Sequence, residues 1–141
     1  MSLFFYRIGN YLYRNNVPFI PKLCTIFGQI LFGAYVPATC TIGRGTKLAY
    51  GGSGVVIHAS ASLGRDCLIS PGVVVGGRSK PGAVPRIGDE VSLFPGCKIL
   101  GKVTIGNGAN IGANAVVIVD VPAGATVVAP LARVLDFSTD L

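Results

Sequence analysis

Aliphatic residues recur at every sixth position from Ile57 to Val117, and Pro81 is the one interruption of the series. A period of six matches neither the 3.6-residue repeat of an amphipathic helix nor the two-residue alternation of a half-buried strand. Ten residues occupy this register: Ile57, Leu63, Ile69, Val75, Ile87, Leu93, Ile99, Ile105, Ile111 and Val117.

Small residues hold fixed places within each six-residue unit. Glycine often follows the aliphatic residue, as at Gly64 and Gly88, and the residue four places after the aliphatic one is small or β-branched. The pattern predicts an all-β solenoid, a parallel β-helix in which each unit forms one short strand and a corner and three units complete a triangular coil. Cys67 and Cys97 occupy the small position, so we expect them to pack inside the coils rather than to bind a metal.

The chain before this repeat has a helical pattern. Bulky apolar residues lie at helical spacing in residues 2–14, and a second apolar helix is expected from about Pro21 to Phe32. We expect this pair to pack on the rest of the protein or on a partner subunit, with peripheral membrane contact as the alternative.

The predicted organisation therefore has three parts. Residues 1–36 form an N-terminal helical cap, and residues 37–134 form the β-helix. An excursion at residues 77–86 accommodates the break at Pro81, and residues 135–141 are a C-terminal tail.

The composition limits which kinds of ligand and partner are expected. The net charge is +6, which favours a polyanionic ligand, but the basic residues are scattered without interleaved aromatic residues, so nucleic acid is not expected. The four cysteines form no CxxC motif and the chain has one histidine, so no metal site is expected. There is no basic leader with a cleavage site, and the apolar run at residues 23–36 is too short to span a bilayer; we therefore expect a cytoplasmic protein.

One stretch carries a specific resemblance. Residues 99–117 read Ile-Leu-Gly-Lys-Val-Thr-Ile-Gly-Asn-Gly-Ala-Asn-Ile-Gly-Ala-Asn-Ala-Val-Val, and closely resemble the serine acetyltransferase family of hexapeptide-repeat acyltransferases. Gly54-Val55-Val56, Gly76-Gly77 and Pro85-Arg86-Ile87-Gly88 extend the resemblance, which covers roughly residues 40–134. It implies a left-handed β-helix and a homotrimer of parallel prisms, with acetyl-CoA bound in the groove between neighbouring subunits.

The same resemblance implies an O-acetyltransferase in which a histidine base assists direct attack of a hydroxyl on the thioester. His58 occupies a corner place usually held by Gly or Ala, and it is predicted to be this base. The family's own histidines fall elsewhere, where this chain reads Ala-Tyr-Gly-Gly-Ser at residues 49–53 and where it has Val84. Tyr50 is a second catalytic candidate, because its phenol could orient the substrate.

The remaining site predictions concern the cosubstrate and the excursion. We expect the excursion to form an arm over the adjoining subunit, with Arg78, Ser79 and Lys80 near the substrate. Arg and Lys side chains can bind the CoA phosphates. The small residues at the later corners allow close approach of the pantetheine arm. The C-terminal segment that contains Arg133 resembles the C-terminal cap of the family. The predicted cosubstrate-binding residues are Arg86, Gly96, Cys97, Lys102, Ala113, Ala115 and Arg133.

The acceptor is left open between L-serine and a sugar hydroxyl. Two other classes compete with the acetyltransferase. A metal-dependent hydratase on the same fold needs three histidines around zinc, which one histidine per chain supplies only at a three-fold axis. A non-catalytic trimeric scaffold is the alternative function.

Overall fold

The protein, seen in a computed structural model, is described for residues 2–78, 80 and 82–134. Ser79 and the predicted tail at residues 135–141 lie outside the described residues. Two helices come first, α1 (Ser2–Arg14) and α2 (Ile20–Phe32), as the apolar spacing predicts. They pack against each other closely at Gly9, where a Cβ atom would lie 3.0 Å from Cβ of Cys24.

Short strands make up the rest of the described chain. In chain order they are β1 (Thr41–Ile42), β2 (Lys47–Leu48), β3 (Val56–Ile57), β4 (Ser62–Leu63), β5 (Leu68–Ile69), β6 (Val74–Gly76), β7 (Arg86–Ile87), β8 (Ser92–Leu93), β9 (Lys98–Leu100), β10 (Thr104–Ile105), β11 (Asn110–Ile111), β12 (Val116–Val117) and β13 (Thr126–Val127). From β1 to β12 every third strand joins the same parallel sheet, and β13 then pairs with β11. Sheet A contains β3, β6, β9 and β12; sheet B contains β1, β4, β7 and β10; sheet C contains β2, β5, β8, β11 and β13.

This order makes a solenoid of about four coils that matches the left-handed β-helix fold, as predicted. The aliphatic series is confirmed as its interior, because all ten members are at most 4% exposed. Like residues stack between coils: Ile57 pairs with Val75 and Val75 with Ile99 in sheet A. Cys67 and Cys97 are buried in the same interior, as expected.

Two kinds of corner matter for the site. The A–B corner is the chain that leads from a sheet A strand to sheet B, at residues 58–61, 77–85, 101–103 and 118–120. The C–A corner leads from sheet C to sheet A, at residues 49–55, 70–73, 94–97 and 112–115. Arg86 already pairs with Ser62 and Thr104 in sheet B, so the excursion ends at residue 85.

Helix α1 is fastened to the first coil by side-chain hydrogen bonds. The Tyr6 hydroxyl donates to the Cys40 carbonyl at 2.9 Å and accepts from the Ile42 N–H at 3.0 Å. Arg7 donates to the carbonyls of Ile42 and Gly43. Burial raises the pKa of Tyr6 to about 12, and burial likewise raises the pKa of the Cys40 thiol to about 12. Both groups therefore stay neutral in this junction.

Candidate active site

A basic groove lies at the A–B corner. It has a volume of about 260 Å³, and its lining residues are Arg78, Lys80, Ala83, Leu100, Gly101, Lys102 and Ile118. Three cations thus converge on one small cavity, and no carboxylate is among the described residues that line it. The structure brings together Arg78, Lys80 and Lys102, which were predicted from separate segments of the sequence.

The excursion shapes this groove by folding back on its own subunit. The Arg78 N–H lies 3.4 Å from the Ala83 carbonyl, and the Ala83 N–H donates to the Lys80 carbonyl at 3.1 Å. Gly101, in the next coil, leaves room for the Arg78 side chain, because a Cβ on Gly101 would lie only 3.1 Å from Cβ of Arg78. The φ of 91° at Gly101 also disfavours any larger residue there. Arg78, at the start of the predicted arm, therefore packs on the corner of the next coil of its own subunit.

His58 lies at the same corner, one coil above the loop. Its side chain is exposed, and its ring edge faces the start of the loop, where a Cβ on Gly77 would lie 3.9 Å from Nε2. The Ser60 N–H donates to His58 Nδ1 at 3.1 Å. Since an acceptor nitrogen carries no proton, this bond assigns the neutral ring the tautomer with its proton on Nε2.

The residue that follows the inward aliphatic residue differs between the sheets. The residue after the inward aliphatic one is glycine throughout sheet B, at Gly43, Gly64, Gly88 and Gly106. After the strands of sheet A the same place holds His58, Gly76, Leu100 and Ile118. Leu100 and Ile118 line the groove although we did not predict them. Sheet C also has residues other than glycine at this place, among them Phe94 and Val128, so the pattern alone does not single out the A–B corner.

The C–A corner holds a second set of predicted residues. Tyr50 is 92% exposed and adopts a left-handed conformation with φ 50°, which is rare for a residue with a side chain. Gly96 is partly exposed and Ala113 is exposed. These three residues can be reached from outside the prism.

Cys97 and Ala115 are at the C–A corner as well, but their side chains point into the prism. Their backbone groups already serve the coil, since the Cys97 carbonyl accepts from Val74 N–H and the Ala115 carbonyl accepts from Lys98 N–H. Burial raises the pKa of the Cys97 thiol to about 11, so the thiol is neutral and packed. Contact with a ligand at these two positions is limited to the second lone pair of each carbonyl.

The two corners lie on opposite edges of sheet A, so one subunit does not bring their residues together. Arg86 projects from the outer face of sheet B, away from the lining of the groove, and Arg133 is exposed after the last strand. The predicted site residues therefore form two clusters and two outlying cations.

A larger cavity of about 560 Å³ lies between the helices and the first coil. Most of its lining is apolar, and Lys22 is its one cationic side chain among the described residues. Its lining includes Thr39 and Ala59, and the Thr39 hydroxyl donates to the Ala59 carbonyl at 3.0 Å. Ala59 directly follows His58 in the chain. The cavity can hold an apolar group beside the A–B corner.

Within residues 2–78, 80 and 82–134, no three His, Cys, Asp or Glu side chains come close enough together to hold a metal ion. None of the described helices has the length and apolar character needed to cross a membrane.

Comparison with known proteins gives one consistent answer. Residues 85–118 match the family model described as bacterial transferase hexapeptide (six repeats). A serine acetyltransferase of Synechococcus elongatus is 35% identical over 136 residues, which are 95% of this chain and 55% of that protein. A serine acetyltransferase of Helicobacter pylori is 33% identical over 136 residues, which are 95% of this chain and 79% of that protein.

A solved structure of a serine acetyltransferase in complex with CoA superposes with a TM-score of 0.82 at 30% identity, covering 89% of this chain and 52% of the other. The chain thus spans only about half the length of several of the proteins that it matches. The six-residue register, the coil architecture and these likenesses agree, and the chain belongs to the serine acetyltransferase family of hexapeptide-repeat proteins.

Proposed function

We propose that the protein transfers an acetyl group from acetyl-CoA to a hydroxyl group, with the serine hydroxyl as its acceptor. In this reaction the acceptor oxygen attacks the thioester carbonyl, the C–S bond breaks, the hydroxyl proton passes to a base, and CoA leaves as a thiol after taking up a proton. The observation that carries the proposal is the basic groove of Arg78, Lys80 and Lys102 at the same corner as His58. The choice of serine as acceptor is supported by the names of the relatives, and a sugar hydroxyl is the second acceptor to test.

The groove suits the phosphate-bearing part of CoA. An Arg fork and two Lys ammonium groups can balance phosphate charge, while Leu100 and Ile118 provide apolar contacts beside them. A related serine acetyltransferase has been solved in complex with CoA, which supports this choice of cosubstrate. The proposed use of acetyl-CoA supports a cytoplasmic location, and so do the four free cysteines.

We propose His58 as the base, acting through Nδ1. The lone pair of the neutral ring is on Nδ1, where the Ser60 N–H now donates, so the acceptor hydroxyl must displace this bond to deliver its proton. The Nε2–H, which faces the loop, stays protonated throughout and can donate to a group held there.

A homotrimer would complete the site. The outer face of sheet A is largely apolar, with Val56, Val74 and the 59%-exposed Val116 around Lys98, whereas the outer faces of the other two described sheets are mostly polar. In a ring with three-fold symmetry each subunit uses two different surfaces, one toward each neighbour. If sheet A faces the axis, the C–A corner of one subunit meets the A–B corner of the next. Residues of the same coil would meet in such a parallel arrangement, which would place Tyr50 beside His58 of the partner subunit and Gly96 and Ala113 near its basic groove.

The test of chemistry is a CoA-release assay with L-serine and a panel of sugars. His58→Asn is the sharpest variant, because the amide oxygen can still accept the Ser60 N–H while the side chain no longer takes up a proton. We expect it to lower turnover by about 10²- to 10⁴-fold with little change in acetyl-CoA affinity.

Lys102→Ala is the matching variant that tests cosubstrate binding instead of turnover. It should weaken acetyl-CoA binding and make that binding less sensitive to salt, and leave turnover at saturation nearly unchanged. No release with any acceptor would favour the scaffold function, and wild-type turnover in His58→Asn would remove His58 from the mechanism. Light scattering that reports a monomer at micromolar concentration would contradict the trimer and the shared site.

A further inference from the structure

The outward side of the helix pair is a large apolar surface. We call it the hairpin face, and its members are Phe4, Ile8, Tyr11, Leu23, Phe27, Ile30 and Leu31, all of them exposed. Ile30 is 73% exposed, an unusual degree for a large aliphatic side chain on a helix. An apolar patch of this kind on a protein surface marks a contact that the isolated chain does not satisfy.

Helical spacing separates most of these residues from the side chains that contact the solenoid. In α1, Tyr6, Arg7 and Asn10 donate hydrogen bonds to the first coil, whereas Phe4, Ile8 and Tyr11 are exposed. In α2 the buried residues are Pro21 and Gly28, and Phe27 and Ile30 lie away from them. Each helix thus carries an exposed apolar stripe, and the hairpin face comprises both stripes.

The distribution of charge along the chain favours an anionic partner for the hairpin face. All six acidic residues of the chain lie after position 65, while six of the twelve basic residues lie before position 66. The whole net charge of +6 therefore belongs to residues 1–65. Three of these six basic residues, Arg7, Arg14 and Lys22, lie in the helix pair and are exposed, and no acidic residue accompanies them. Arg7 also donates to carbonyls of the first coil, and Lys22 borders the cavity between the helices and that coil, so Arg14 is the cation of the pair without either contact.

We propose that the hairpin face binds the surface of an anionic phospholipid membrane, with the helices lying in the interfacial plane. A helix pair with large apolar side chains on one face and cations at its border has the composition of an interfacial anchor. Anionic lipid attracts the cations, and the apolar side chains enter the boundary of the acyl region. A second copy of the chain is a poorer occupant, because it would bring two basic surfaces of like sign together. The proposal does not depend on the acetyltransferase activity.

The experiment is vesicle flotation of the full chain. The protein should float with vesicles of phosphatidylcholine mixed with phosphatidylglycerol, and much less with phosphatidylcholine alone, and added salt should release it. Ile30→Glu should lower binding to the mixed vesicles about tenfold or more, whereas Leu131→Glu, the same change at a 92%-exposed site on the last part of the solenoid, should have little effect. Arg14→Ala should weaken binding about fivefold and Arg86→Ala less than twofold.

Several results would overturn the proposal. One is equal flotation with and without phosphatidylglycerol, and another is no flotation with either. Equal losses in Ile30→Glu and Leu131→Glu would mean that added negative charge, not the hairpin face, governs binding. A lower mass of Ile30→Glu in light scattering without lipid, with unchanged flotation, would instead identify the face as an interface between copies of this chain.

Discussion

Replacing Ile69 with Ala should destabilise the protein far more than replacing its neighbour Leu68. Ile69 is 0% exposed and lies in sheet C between Leu48 and Leu93 of the adjacent coils, whereas Leu68 points outward and is 42% exposed. Ile69→Ala removes three carbons, which at about 0.8 kcal/mol each costs about 2.4 kcal/mol of transfer free energy. The backbone on both sides is held by ladder hydrogen bonds and cannot collapse into the space, so a cavity term brings the expected loss to about 3–4 kcal/mol.

Leu68→Ala removes the same number of carbons from a position that remains partly in water, and we expect a loss of about 1 kcal/mol. The measurement is equilibrium urea unfolding of both variants at one fixed protein concentration, because subunit association would make the midpoint depend on concentration. Comparable losses for the two variants would refute the assignment of the six-residue register to inward and outward faces.

Two further predictions test the packing of the coils and of the helix junction. Gly64→Ala should cost about 2 kcal/mol or more, since its Cβ would overlap the Gly88 carbonyl of the next coil, whereas Gly76→Ala, whose nearest neighbour would be 3.4 Å away, should cost less than about 1 kcal/mol. Urea unfolding that ranks the pair in the opposite order would contradict the close stacking of these corners. Because burial raises the pKa of Cys40 from 9.0 and that of Tyr6 from 10.0, each to about 12, the unfolded chain loses these protons first. Their contribution to stability is complete below pH 9 and is lost as the pH rises toward 12, and urea midpoints that stay constant above pH 9 would contradict it.

Periodicity determined most of the fold. A side chain that must enter a narrow prism at every sixth residue has to be aliphatic, and the residue four places later has to be small, so Ile57 to Val117 could be assigned to the interior without coordinates. The two helices were also predictable, because their apolar spacing is local. The family resemblance came from the same repeats, since residues 99–117 carry both the register and the motif.

Only the tertiary structure decided how the site residues are grouped. Arg78, Lys80 and Lys102 come from two coils, and they share one groove because every third unit returns to the same corner and the loop at residues 77–85 folds down onto Gly101. The same geometry separates Gly96 and Ala113 from Lys102 within one subunit, although all three residues are predicted from the sequence to bind the cosubstrate. The hydrogen bond from Ser60 N–H to His58 Nδ1 was likewise not predictable from the sequence. A six-residue repeat specifies whether a side chain points inward or outward, but corner identity, loop folding and ring tautomer depend on contacts between coils that a local pattern does not contain.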